Sequence, residues 1–139
     1  MTSEELLTEI NNRMGKAGYQ PFILVDTYIT THNDLTDSYY YKTDGKSGQL
    51  ELVPFHRNNY VSRVNMRVDD AQTPAALNQF LMETLVDIFA PGKGKEVCAE
   101  LGIYDLSGVD PASWKEVTVG NTEFKISGNY EFSVENIEY

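Results

Sequence analysis

The chain is poor in the residues that make chemistry. Among its 139 residues there is one cysteine and there are only two histidines, so no internal disulfide can form and no structural zinc site of the usual kind can be assembled. The absence of disulfides leans towards a reducing compartment. Basic residues are scarce as well: 11 against 21 acids, for a net charge of -10. A surface of that sign repels phosphate backbones, which argues against direct nucleic-acid binding. The longest apolar stretch, PFILV at 21–25, is far too short to cross a bilayer, so no transmembrane segment is expected. The opening MTSEELLTEI is polar and acidic and does not read as a signal peptide. The expectation is a protein that stays inside the cell, or a mature domain whose leader has been removed.

What is present is ordinary globular material, with 41% hydrophobic and 12% aromatic residues. The length suits one domain, 1–139, able to bury a core without staples. The acid excess is uneven. From Leu101 to the end, Asp105, Asp110, Glu116, Glu123, Glu131, Glu135 and Glu138 face only Lys115 and Lys125.

Thr2 and Glu5 have capping-box spacing, and Leu6, Leu7, Ile10, Met14 and Ala17 follow at helical intervals. That predicts a helix from about Ser3 to Ala17, stopped by Gly18 and Pro21. Strands are predicted over 22–30, 38–43, 49–55 and 60–68, with turns at 32–34, 44–48 and 56–59. In the fourth, Ser62, Val64, Met66 and Val68 alternate with Arg63, Asn65 and Arg67, which gives the sheet a dry and a wet side. Pro54 places its strand at an edge or a bulge. Thr73 and Pro74 open a long helix whose stripe is Leu77, Phe80, Leu81, Leu85 and Ile88, ended by Pro91 and Gly92. A short helix spans Lys95 to Leu101. After a loop through Asp110, Pro111 and Trp114, strands are predicted over 115–119, 123–127 and 130–137, the first two joined by a Gly120-Asn121 turn. The fold class is α+β: an antiparallel sheet of about six or seven strands, with the N-terminal helix and the long and short helices on one face.

Few residues stand out as catalytic. APGKGKE at 90–96 lacks both the earlier glycine and the following Ser or Thr of a phosphate loop. His32 and His56 lie in turns with no nucleophile signature near them. Cys98 falls on the inner stripe of the short helix and reads as a small buried hydrophobe. Asp69-Asp70 favours the following helix start rather than a metal, and DLSGVD at 105–110 lacks the ligand ladder of a calcium loop. No catalytic residue, metal ligand or cofactor is expected. The run SYYYKT is the one unusual surface. Strand alternation turns Tyr39 and Tyr41 towards the long helix, and Tyr40 and Lys42 to solvent beside Arg63 and Arg67. Tyr40, Lys42, Arg63 and Arg67 are therefore the candidate binding residues, since aromatics and arginine make effective interaction anchors.

Three stretches carry a wider likeness: YVSRVNMRVDD, NQFLMETLVDIFAPGKGKEVCAELGIYD and VTVGNTEFKISGNYEFSVENI. In order and pattern they resemble small uncharacterised α+β domains of exported lipoproteins from Gram-positive bacteria. The resemblance implies a bacterial, extracytoplasmic setting, membrane-anchored in the full-length form. It brings no catalytic residues. The expected function is a non-catalytic binding domain with a protein partner rather than a small molecule. The alternative is a cytoplasmic acidic inhibitor, an immunity or phage anti-defence protein that occupies a basic nucleic-acid-binding site.

Overall fold

The first helix forms where its cap lies. The Thr2 hydroxyl accepts from the Glu5 amide at 3.1 Å, and the Glu5 carboxylate accepts from the Thr2 amide at 3.0 Å, closing a capping box. Helix α1 (Ser3–Lys16) buries Leu6, Ile10 and Met14, one residue per turn, and stops at Gly18, whose φ of 86° costs a side-chain-free residue little. The computed structural model describes residues 1–28, 38–43, 47–55, 60–67, 75–104, 114–127 and 131–136. The expected Thr73-Pro74 cap, Val68, Asp69-Asp70, His32, His56 and the 105–110 segment lie outside these residues.

The strands are β1 (Phe22–Tyr28), β2 (Ser38–Thr43), β3 (Ser47–Pro54), β4 (Val61–Arg67), β5 (Trp114–Val119), β6 (Thr122–Ser127) and β7 (Glu131–Asn136). Between β4 and β5 lie α2 (Ala75–Phe89) and α3 (Gly94–Leu101). All pairings are antiparallel, in the order β1-β2-β3-β4-β7-β6-β5. Two meanders therefore join through β4 and β7, the one neighbouring pair not consecutive in sequence. The α+β class read from the sequence is the class the chain adopts.

Alternation sorts the residues of each strand onto two faces. On the inner face, register aligns Leu50, Met66, Phe132 and Ile126 in one row and Leu52, Val64, Val134 and Phe124 in the next. All eight are buried, and they share a single core cluster with the buried residues of the three helices. At roughly 1.5–3 kcal/mol for each fully buried large side chain, these two rows are a principal source of stability. In α2 the buried stripe is Leu77, Leu81, Met82, Leu85 and Val86, while Phe80 and Ile88 flank it half-buried. The sequence pattern placed Phe80 and Ile88 inside and left out Met82 and Val86. The helix is apolar on more than one side, so periodicity alone could not set its rotation.

Polar contacts fix the joints. The Asn11 amide grips the start of β1, accepting from the Phe22 N–H at 2.8 Å and donating to its carbonyl at 3.3 Å. That double contact occupies backbone groups at the sheet edge which would otherwise stand unpaired. Arg13 of α1 bridges Glu9 and reaches Asp87 of α2 at 3.1 Å. Asp87 also accepts from the Gly92 N–H at 2.8 Å, and the Tyr104 hydroxyl donates to Glu83. Gly94, the first residue of α3, lies so close to α2 that a Cβ there would sit 2.8 Å from the Glu83 carbonyl oxygen. Pro54 is not at a sheet edge, because β3 lies between β2 and β4. It falls where the β3–β4 register shifts after Val53, which spares the ladder a missing donor.

Candidate binding face

The face turned away from the helices carries polar residues of six of the strands, β2 to β7. One row runs through Tyr40, Glu51, Asn65, Ser133, Lys125 and Glu116; the next through Val53, Arg63, Glu135, Glu123 and Thr118. The middle of this face is half-buried, whereas Trp114, Glu116, Thr118 and Glu131 are exposed.

Of the four residues nominated from sequence, Arg63 lies at the centre of this face on β4. Arg67 pairs with Glu131 in register, Tyr40 with Glu51, and Lys42 with Ile23. The backbone register places Arg63, Arg67 and Tyr40 on one face, the two arginines on β4 and Tyr40 on β2, with β3 between them. The side chains of Tyr40, Tyr41, Lys42 and Arg67 lie outside the described residues. Tyr39 packs half-buried against the core, as alternation requires.

Arg63 is unusual. Its Nε is buried and has no hydrogen-bond acceptor among the described residues. Glu135 stands opposite it in register, yet no ion pair joins the two among the described residues. Around it the other polar groups are satisfied. Asn65 donates to Glu51 at 2.8 Å, and Asn136 donates to the Val61 carbonyl at 2.6 Å while accepting from Thr122 at 3.2 Å.

Towards β5 the face becomes acidic. Lys125 pairs with Glu123 at 2.9 Å, and its ammonium lies 6.0 Å from the centroid of the Trp114 ring, at the limit of a cation–π contact. The hydrogen bond from Lys125 is the main cause holding Glu123 below the ordinary 4.5, and burial opposes it. A carboxyl with a lowered folded-state pKa binds fewer protons folded than unfolded. Its stabilisation is therefore present above 4.5 and lost as pH falls through the folded value. We expect thermal midpoints of Glu123→Gln to fall less steeply than those of the parent protein on acidification below pH 4.5. Parallel curves would show that the pairing with Lys125 is energetically idle.

Trp114 was missed by sequence reasoning, which left it in a loop. It opens β5, opposite Ser127, and is 53% exposed. The alternation of Trp114, Glu116 and Thr118 against Lys115, Val117 and Val119 was the available signal. The position of Glu135 beside Arg63 had no such signal, since it depends on β7 returning to β4.

Elsewhere, Cys98 is a free thiol buried in α3, pushed up to about 12 by burial and by the charge of Glu83, so it stays protonated at neutral pH. Among the described residues, no group of three His, Cys, Asp or Glu side chains could hold a metal ion, and no helix is long and apolar enough to cross a membrane.

Fold and face together define a small α+β domain whose antiparallel sheet carries a charged face opposite its helices. No protein-family model, no curated protein and no solved structure matches the chain.

Proposed function

We propose that the chain is a non-catalytic binding domain that engages a protein partner through the outer face of its sheet, with Arg63 as the anchor. The observation that carries this reading is the Nε of Arg63 at the centre of that face, buried and without a partner among the described residues. A desolvated donor without an acceptor costs about 1–3 kcal/mol, and structures keep few of them. Arg63 as a whole is only half-buried, so its guanidinium can turn towards a carboxylate or carbonyl of a partner and recover that cost on binding. The exposed Trp114 supplies a second, apolar anchor of the kind that dominates interface energies.

The test is crosslinking from two sides of the molecule. A photo-reactive residue at Thr118, on the outer face, is expected to capture a specific partner that the same residue at Glu96, exposed on α3, does not. Capture from α3 alone would move the interface to the helices.

The acidic-inhibitor reading is favoured by one further observation: Glu116, Glu123, Glu131 and Glu135 lie on adjacent strands of the same face. In that case the captured partner is a basic nucleic-acid-binding protein, and capture weakens steeply with salt.

A further inference from the structure

Between α1 and the corner joining α2 to α3 lies a cleft of about 350 Å³, walled on one side by the Phe80 ring. Small-molecule sites run from roughly 300 to 1,000 Å³, so this one suits a small ligand. Four charges line it: Arg13 and Lys95 against Glu83 and Asp87. A lone anion entering would meet two carboxylates, and a lone cation would meet a guanidinium and an ammonium. A molecule carrying both charges a few bonds apart meets neither repulsion.

Donors without partners among the described residues line the cleft. Lys95 joins no ion pair among the described residues. The leading N–H groups of α3 have no intrahelical partners, and the N-cap residue Lys93 supplies no side-chain acceptor for them. Thr84, only 6% exposed, lines the cleft, and its hydroxyl takes part in none of the described hydrogen bonds. Donors of this kind suit a carboxylate. Of the two acids, Asp87 is already held by Arg13 and the Gly92 N–H, whereas the Glu83 carboxylate receives, among the described residues, the Tyr104 hydroxyl alone. Glu83 has acceptor capacity left for an ammonium group.

We propose that this cleft binds a free α-amino acid, its carboxylate towards Lys95 and Thr84, its ammonium towards Glu83 and its side chain against Phe80. The proposal is independent of the sheet face.

Titration of the 15N-labelled protein with alanine, glutamine, leucine and phenylalanine tests it. At least one is expected to shift the amides of Thr84, Gly92, Gly94 and Lys95 saturably at concentrations up to about 10 mM. The N-acetyl and carboxamide derivatives of that amino acid are expected to bind at least about tenfold more weakly, as are the variants Lys95→Met and Glu83→Gln. Unchanged resonances of the sheet show that both variants are folded. No saturable shift with any of the four amino acids overturns the proposal. So does equal binding of either blocked derivative, because a site indifferent to one of the two charges is not a zwitterion site.

Discussion

Phe132→Ala is expected to remove about 3–5 kcal/mol, the upper range for emptying a buried aromatic site. Phe132 has no solvent exposure and stands between Met66 and Ile126 in the inner row. Its strand is also where the two meanders meet, so the cavity opens at the seam of the sheet. Neighbours on β4 and β6 are held by ladder hydrogen bonds and cannot collapse into it, which keeps the loss near the top of the range. The urea midpoint should fall with little change in slope. A loss under about 1 kcal/mol, the size of a surface change, would mean that β7 is not central to the core.

Gly94→Ala is the second large effect, and it comes from contact rather than cavity. The new Cβ would lie 2.8 Å from the Glu83 carbonyl oxygen and 3.4 Å from the Asp87 Cβ. The first of these is backbone, and no rotamer change moves it away. Helix α3 must shift from α2, disturbing Val97, Cys98 and Leu101, which it buries. Overpacking of this kind costs about 1–3 kcal/mol. Gly15, within α1, is the control, because a Cβ there meets nothing within 4 Å. Gly15→Ala should stabilise by about 0.5–1 kcal/mol through helix propensity. Opposite signs in the two thermal midpoints are the expected result.

How much was legible in the sequence follows from how local each signal is. The Thr2–Glu5 box, the alternation of β4 and the Gly120-Asn121 turn act over a few residues, and each element formed where its pattern lay. The rotation of α2 was not legible, because apolar residues on several of its sides compete to face the core. The pairing of β4 with β7 was not legible either. It joins segments more than sixty residues apart, and with it come Glu135 and Glu131 beside the arginines. Arg63 could be nominated from alternation and residue type. That its Nε is buried with no acceptor among the described residues depends on packing by residues far along the chain. The cleft on the helical side was invisible for the same reason, since Arg13, Glu83, Asp87 and Lys95 come from three helices.

The most direct test of the binding role is the affinity of the crosslinked partner for Arg63→Met, set beside the stability of that variant. Methionine keeps an apolar stem of similar length and removes every donor. If Arg63 is an anchor held ready for an acceptor on the partner, affinity falls at least about tenfold while the thermal midpoint stays level or rises, because an unsatisfied buried donor has been removed. Unchanged affinity, or a loss of binding that merely follows a lowered midpoint, would contradict the assignment of this face.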